Sequence, residues 1–428
     1  GNILDSGMTT VPKKNEEIIG LSYDQFVKAM VLSQGQFSKL LLAPRDERNK
    51  LLESTRIMTG PQISPEAQSK ELIALRDKID VIDTEIGRLI SERAQCAQDV
   101  ATVKKASGEE NIQYYRPERE AQVLRKVMEA NQGPLANEEM ARLFREIMSS
   151  CLALEHPIRV AFLGPEGTFT QQAALKHFGR SAISVPMSAI DEVFREVEAG
   201  AVEFGVVPVE NSSEGVVNHT LDVFLNSNLK ICGEVALRIH QNLLVSDVTK
   251  TDAISRIYSH SQSLAQCRKW LDSHYPNVER IAVNSNAEAA KRLKGEWNAA
   301  AIAGEMAADL YGLKILSEKI EDNPDNSTRF LIIGNQSVPA SGTDKTSVVI
   351  AMHNEPGALH DLLEPFRTHS IDLTSVETHP SKTGNWNYVF FIDFKGHIDD
   401  ENVSTALAKI REKASDLKIL GSYPKAVL

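Results

Sequence analysis

The sequence predicts a multidomain protein with three folds in series: an all-α unit, an α/β unit and a small α+β unit. A helical repeat without strand signals begins at Glu66, and strand-like and helix-like stretches alternate from Ile158 to about Asn335. Residues 346–428 then follow the order strand, helix, strand, strand, helix, strand, which is typical of ferredoxin-like domains. A length of 428 residues also suggests about three domains.

We place the helical unit at residues 66–156. Further helical patterns occupy about 117–131 and 137–154, separated by the Gly133-Pro134 stop. The first helix, of about forty residues, is longer than a lone small domain needs, so we expect a homodimer or homotetramer to bury its apolar face. That face carries apolar residues spaced by three and four: Leu72, Leu75, Ile79, Ile82, Ile86, Leu89 and Ile90.

The α/β unit is placed at residues 158–335 and the α+β unit at 346–428, with a linker rich in Ser, Pro and Gly between them. Arg159–Leu163 reads as the first buried strand, and the glycine turn that follows leads into a helix. In the α+β unit, the strands are predicted at 346–352, 371–378, 388–394 and 417–423, and the helices at 358–367 and 401–414.

Composition limits the function classes. An apolar fraction of 42%, no apolar run of about 18 residues and a polar start without a signal-peptide pattern predict a cytoplasmic protein without a membrane partner. The net charge of −11 disfavours nucleic acid as the main partner. The four cysteines are widely spaced with no CxxC, so we expect neither a zinc site nor a disulfide framework: Cys96, Cys151, Cys232 and Cys267. We also expect a metal-free enzyme that uses no cofactor.

Charged residues interrupt the helical unit at spacings that favour a site over a solvated helix face. Arg93 and Lys104 are eleven residues apart, which puts them on one helix face about 16 Å apart, close enough for both long side chains to reach one small anion. Arg76 lies about 25 Å from Arg93 along the same helix, so it most simply serves a site in a second subunit.

These residues, with Arg119 and Glu120, resemble those of the all-helical (AroQ-type) chorismate mutases. The resemblance implies that Arg76 of the partner subunit and Arg93 bind carboxylates, and that Lys104 donates to the ether oxygen. Glu120 would accept from the ring hydroxyl, and Arg119 would complete the shell. Cys151 and Glu155 occupy positions where better-known members have serine and glutamine, so Glu155 can donate only when it is protonated.

Polar clusters at the ends of predicted strands mark a second site in the α/β unit. Each alone is also compatible with turn or helix-cap chemistry. Polar groups at strand ends, however, face the crevice where α/β sheets bind ligands. The clusters occur at 164–170, 207–213, 259–266 and 326–330, with these candidate residues: Thr168, Glu210, Asn211, Ser259, His260, Gln266, Thr328 and Arg329.

In this order the clusters resemble prephenate dehydratase, and the Thr-Arg-Phe motif at 328–330 is that family's best-known signature. The resemblance implies two α/β lobes, like a periplasmic-binding protein, with the active site between them. It also implies that Thr328 is nearest the leaving hydroxyl. Because a threonine hydroxyl is a poor acid, that role requires a polarising neighbour. Arg329 is expected to be either a substrate clamp or a structural partner.

Two turns in the α+β unit resemble the ACT domain of phenylalanine-feedback dehydratases. The first motif is Gly357-Ala358-Leu359, at the start of a helix. The second usually reads Glu-Ser-Arg-Pro in that family and is Glu377-Thr378-His379-Pro380 here. The resemblance implies a phenylalanine site at these positions, and the Thr378 and His379 departures affect how strongly it would bind.

Residues 1–57 resemble part of the ATPase head of the SbcC/Rad50 family, without its GxxxxGK[ST] loop, and we expect no function from them. Residues 66–428 resemble the bifunctional chorismate mutase/prephenate dehydratase family. This implies conversion of chorismate to prephenate and then to phenylpyruvate, inhibited by phenylalanine. The alternatives are a DNA-repair ATPase subunit, contradicted by the missing loop, and a non-catalytic amino-acid-binding protein.

Overall fold

The computed structural model describes residues 65–106, 113–353, 355–380 and 388–427. The segment at 1–57 that resembles an ATPase head lies outside the described residues. Helix α1 (Pro65–Ala106) begins the described chain. The part of α1 up to Arg88 belongs to a different compact unit from Leu89–Leu428, so the two are described separately.

The residues predicted as the helical unit contain α1, α2 (Pro117–Ala130) and α3 (Asn137–Glu155). Helix α2 begins with Pro117, a residue favoured at a first helical position because it has no N–H to satisfy there. Along α1, the apolar stripe from Leu72 to Ile90 is exposed: its seven predicted members are between 37% and 54% accessible. An exposed stripe of this length indicates an interaction surface.

The α/β unit alternates strands and helices, as predicted. Its strands are β1 (Arg159–Leu163), β2 (Ile183–Met187), β3 (Phe204–Asn211), β4 (Gly215–Val216), β5 (Lys230–Arg238), β6 (Asn242–Val245), β7 (Arg256–His260), β8 (Glu279–Val283), β9 (Ala299–Ala303), β10 (Lys314–Ser317) and β11 (Ser327–Gly334). Its helices are α4 (Phe169–Phe178), α5 (Ile190–Glu198), α6 (Asn218–Asn226), α7 (Ser261–Gln266), α8 (Arg268–His274), α9 (Asn286–Arg292) and α10 (Glu305–Tyr311).

Two sheets define two lobes. Lobe 1 contains the sheet β2-β1-β3-β11-β5, with β4 paired to β3, and lobe 2 contains the sheet β10-β6-β9-β7-β8. The chain crosses between the lobes at 239–241 and again at 318–326. Strand β11 then returns to lobe 1, where it lies antiparallel between β3 and β5. This two-lobed arrangement confirms the predicted periplasmic-binding-like fold.

The C-terminal domain has the predicted ferredoxin-like order. It comprises β12 (Asp344–Met352), α11 (Ala358–Thr368), β13 (Leu373–Pro380), β14 (Tyr388–Lys395), α12 (Glu401–Lys413) and β15 (Asp416–Pro424). Its antiparallel sheet has the order β13-β14-β12-β15.

The two faces of that sheet have different neighbours. One face packs on α11 and α12 around Phe366 and Phe394. The other shares a core with lobe 1, where Phe391 and Tyr423 pack with Phe224 and Leu331. The C-terminal domain is therefore joined to lobe 1 through a buried apolar interface. Within the described residues, no helix is long and apolar enough to cross a membrane.

Candidate active sites and regulatory site

A cleft of about 760 Å³ lies between the two lobes. Predicted residues on its walls are Thr168, Asn211, His260, Gln266 and Thr328. The structure therefore brings together residues from all four clusters that the sequence singled out. The residues that line the cleft but were not singled out from the sequence include two amides, Gln241 and Asn286.

The first cleft element is the turn that leads into α4. Thr168 caps the helix: its hydroxyl donates to the Leu163 carbonyl oxygen at 3.1 Å and accepts from the Gln171 N–H at 3.5 Å. Gly167 has φ +85°, in the left-handed region that favours glycine, and its N–H donates to Gln171 Oε1 at 2.7 Å. The start of α4 therefore presents N–H groups and a positive dipole end toward the cleft, which suits a carboxylate.

Thr328 lies beside Asn211 because β11 pairs with β3 in that register. Asn211 Nδ2 donates to Thr328 Oγ1 at 2.8 Å. The Asn211 amide orientation is fixed at its other end, where Oδ1 accepts from the backbone N–H groups of Ser213 at 2.9 Å and Glu214 at 3.1 Å. Because Thr328 Oγ1 already accepts a hydrogen bond, its own hydrogen can point to a ligand, and Asn211 stabilises negative charge that develops on the oxygen.

Ser259 and His260 end strand β7 in different environments. His260 lines the cleft, and its Nδ1 accepts from the Gln262 N–H at 3.4 Å. Ser259 is fully buried, with Oγ 2.8 Å from the Ile302 carbonyl oxygen and 3.0 Å from Asn286 Oδ1. Ser259 therefore lies beneath the cleft wall and contacts Asn286, whose Oδ1 also accepts from the His260 N–H at 3.1 Å.

Arg329 lies away from the cleft. Its guanidinium donates to Glu234 Oε2 at 2.9 Å, to Asp393 Oδ2 at 2.5 Å and to Tyr423 Oη at 3.0 Å. Lys345 completes the cluster with a 2.8 Å bond to Glu234 Oε2. Because Asp393, Tyr423 and Lys345 belong to the C-terminal domain, the arrangement favours the structural-partner alternative for Arg329.

Glu210 lies on the same side as Arg329. The two residues are paired in the β3–β11 register, and Glu210 lines a small cavity at the C-terminal domain that also contains Glu377. Burial and the negative charge of Glu210 raise the pKa of Glu377. The structure therefore places Glu210 next to the regulatory domain and outside the residues that line the cleft.

Three predicted mutase residues converge within the helical unit. Glu155 Oε2 lies 4.0 Å from Lys104 Nζ, and the Glu155 carboxyl also interacts electrostatically with Arg93. Burial raises the pKa of Glu155 above its ordinary value, although Lys104 and Arg93 act in the opposite direction. Glu155 Oε2 is buried and has no hydrogen-bond partner among the described residues, which leaves it available to a ligand.

The other predicted mutase residues are placed elsewhere. Arg145 Nε donates to Glu120 Oε1 at 3.0 Å, and Arg145 also donates to the Lys176 carbonyl oxygen on α4 at 2.9 Å. Glu120 thus takes part in the contact between the helical unit and lobe 1, and its pKa is raised by burial. The remaining predicted positions differ in exposure: Arg76 and Arg119 are exposed, and Cys151 is buried.

A buried histidine strengthens that contact. Tyr115 Oη lies 3.0 Å from His177 Nε2, and burial with the nearby Arg145 charge lowers the pKa of His177 to about 3. The imidazole is therefore neutral at ordinary pH, so its Nε2 can accept from the Tyr115 hydroxyl. Neither residue was singled out from the sequence, since a tyrosine and a histidine 62 residues apart form no local motif.

The two regulatory motifs occupy the start of α11 and the end of β13. Gly357 is exposed, with φ +92°, and precedes α11, where Leu359 is 47% exposed. In the second motif, Thr378 and Pro380 are exposed, whereas His379 is buried with Nε2 2.6 Å from Asp222 Oδ1 on α6. His379 therefore connects the second motif to lobe 1.

Family models match the three folded regions in order. The chorismate mutase type II model matches residues 75–156, the prephenate dehydratase model matches 160–338, and the ACT domain model matches 346–412. These matches agree with the three resemblances found in the sequence.

Similar proteins carry the same combination. Bifunctional chorismate mutase/prephenate dehydratases from Stutzerimonas stutzeri and Pseudomonas aeruginosa are 68% and 67% identical to this chain over 365 residues, which is 85% of this chain and all of each relative. A solved prephenate dehydratase from Arthrobacter aurescens in complex with L-Phe is 34% identical, with a TM-score of 0.58, and the match covers 62% of this chain and 90% of that one. The chain therefore belongs to the bifunctional chorismate mutase/prephenate dehydratase family, with an ACT domain at its C-terminal end.

Proposed function

We propose that this chain performs both reactions of its family, with chorismate rearranged in the helical unit and prephenate dehydrated and decarboxylated in the cleft between the lobes. The observation that carries the proposal is the Asn211–Thr328 contact of 2.8 Å at the cleft wall. It supplies the polarising neighbour that a threonine needs as a proton donor. A passive binding pocket has no need for such a pair.

In the mutase reaction, the protein holds chorismate in the conformer that rearranges and stabilises the breaking C–O bond. Arg93 and Lys104 provide positive charge for the substrate carboxylates and the ether oxygen. Glu155 is the second donor to that oxygen in its protonated form, which burial favours. The ionised form would place a negative charge beside a developing one, so the acid is the active form.

The helical site is proposed to be completed by a second chain. Arg76 lies about 25 Å from Arg93 along α1, too far to contact the same small ligand. The exposed apolar stripe from Leu72 to Ile90 supplies the surface that a second copy would cover. We therefore assign Arg76 to the active site of the partner subunit, in a homodimer or in a tetramer of two such dimers.

In the dehydratase reaction, prephenate loses its ring carboxylate as CO₂ and its ring hydroxyl as water. The electron pair of the breaking C–C bond enters the ring, and the ring becomes aromatic as the C–O bond breaks. Thr328 gives its proton to the leaving oxygen, and the Asn211 amide stabilises the threonine oxygen. The start of α4 with Thr168 binds a substrate carboxylate.

We assign phenylalanine feedback to the C-terminal domain, at Gly357–Leu359 and Glu377–Pro380. Two contacts join this domain to catalytic elements. Arg329 is the strand neighbour of Thr328 and reaches Asp393, while His379 holds Asp222 on α6. Helix α6 follows the turn whose N–H groups orient Asn211. A displacement of the C-terminal domain would thus be transmitted through these contacts to both Asn211 and Thr328.

The localisation and partner assignments follow from these activities. Chorismate, prephenate and phenylalanine are small molecules of the cytoplasm, so we propose that the protein acts there without nucleic acid or membrane partners. The net charge of −11 disfavours a nucleic-acid partner.

A conversion assay tests the function. Purified protein is given chorismate, and the loss of chorismate and the formation of phenylpyruvate are followed with and without phenylalanine. We expect conversion through both steps and inhibition of the second by phenylalanine. Phenylalanine binding without conversion of chorismate or prephenate would instead support the amino-acid-binding alternative.

A further inference from the structure

We propose that Asn326 is a positioning residue that sets which atom Gln266 presents to the dehydratase substrate. This inference rests on the proposed dehydratase function. Asn326 is only 1% exposed and lies in the second crossing between the lobes. It contacts both lobes: its Oδ1 accepts from Asn211 of lobe 1 at 3.0 Å, and its Nδ2 donates to Gln266 of lobe 2 at 3.1 Å.

The orientation of this amide chain is determined from one end. Backbone N–H groups of Ser213 and Glu214 can only donate, so they fix Asn211 with Oδ1 toward them and Nδ2 toward Asn326 and Thr328. Asn326 must then accept through Oδ1, which turns its Nδ2 toward lobe 2. The orientation of the Asn211 amide therefore determines the orientation of the Asn326 amide.

The same logic fixes Gln266. Its Oε1 accepts from Asn326 Nδ2 and, at 3.5 Å, from Gln241 Nε2. A side-chain amide whose oxygen is engaged in this way must direct its NH₂ group elsewhere, and Gln266 lines the cleft. Gln266 therefore offers a donor to the anionic substrate, as Thr328 does from the other lobe.

The consequence is that the donor from lobe 2 depends on one buried amide, whereas backbone N–H groups orient the Asn211–Thr328 pair of lobe 1. A carboxylate in place of the Asn326 amide would still accept from Asn211. It could not donate to Gln266, which would turn its NH₂ group inward and present its oxygen to the substrate. Asn326 is not itself one of the residues that line the cleft, so its effect on the reaction is through Gln266.

The test is Asn326→Asp in the full chain, assayed with prephenate and with chorismate. We expect kcat/KM for prephenate at neutral pH to fall by about 10- to 100-fold, as when a buried hydrogen-bonding group loses its partner. The deficit should shrink as pH falls, because the protonated acid donates to Gln266 and still accepts from Asn211. Wild-type protein has no such recovery, since its amide does not titrate.

Two further results are required. In a Gln266→Ala background, Asn326→Asp should lower kcat/KM for prephenate much less than it does in the wild type, because the side chain through which Asn326 acts is absent. Chorismate mutase activity, in a separate unit, reports that the variant is folded. A deficit that does not change with pH, or that is undiminished without Gln266, would overturn the proposal. If wild-type protein itself fails to convert prephenate, the dehydratase assignment falls instead.

Discussion

The dehydratase cleft and the mutase residues of the helical unit differ in how much of each site lies within one chain. In the cleft, Thr328, Asn211, Asn326 and Gln266 form an unbroken set of hydrogen bonds within a single chain. In the helical unit, Arg93, Lys104 and Glu155 converge, but Glu155 Oε2 is buried and has no hydrogen-bond partner among the described residues.

The apolar stripe of α1 is also exposed, and Arg76 is an exposed residue of the same helix. On the proposed assignment of Arg76, the two activities depend on different levels of organisation: the cleft needs a folded chain, whereas the mutase site needs a folded chain and a second copy. Conditions that separate subunits should therefore affect the mutase first.

The largest expected effect is at the cleft. Thr328→Ala removes the proposed proton donor and should lower dehydratase kcat by about 10²- to 10⁴-fold, the usual contribution of a general acid. Mutase activity should remain, because Lys104 and Glu155 lie in the helical unit. Both activities are measured on the same preparation, with Thr328→Ser as the control that retains a hydroxyl. Equal loss of both activities in folded protein would argue against two separate sites.

An intermediate effect is expected in the C-terminal domain. Gly357 has φ +92°, so Gly357→Val strains the turn before α11. Phenylalanine inhibition should weaken by about 5- to 150-fold, the range of typical allosteric coupling. The inhibition curve is measured relative to each variant's own uninhibited rate. Unchanged inhibition would move the phenylalanine site away from this turn.

The smallest effect concerns pH. Burial raises the pKa of Glu155, and the protonated form is the proposed donor, so mutase kcat/KM should fall as pH rises through that pKa. Glu155→Gln donates at every pH and should flatten the alkaline side of the profile. Profiles of both proteins from about pH 5 to pH 9 are compared. If the variant keeps the alkaline fall, another group titrates, and Glu155 serves only as the partner of Lys104.

Much of the fold was predictable because it is periodic. The three-and-four repeat gave α1, and the ferredoxin-like order of the C-terminal domain was correct within a few residues at each strand. Strand order was harder to predict. Nothing local in 327–334 indicates that β11 inserts between β3 and β5, although this insertion places Thr328 beside Asn211.

The sequence analysis grouped Arg329 and Glu210 with the residues of the cleft, and the alternation of side chains along a strand explains why these two lie elsewhere. Neighbouring side chains on a strand point to opposite faces. Thr328 and Asn211 therefore face the cleft, while Arg329 and Glu210, each one residue away, face the C-terminal domain. This separation could be predicted from the sequence once both segments were assigned to strands. The positions of Gln241 and Asn286 in the cleft could not be predicted, because a single amide forms no motif and these two meet the other cleft residues only in the folded chain.

We propose that the mutase site is shared between two chains, whereas the dehydratase cleft lies within one. The direct test mixes Arg76→Ala and Arg93→Ala chains after dissociation and reassociation. Each variant alone should lack mutase activity, and mixed dimers should regain it, because one of their two sites has both arginines intact. Dehydratase activity should stay constant throughout. Verified mixed dimers without mutase activity would contradict the account.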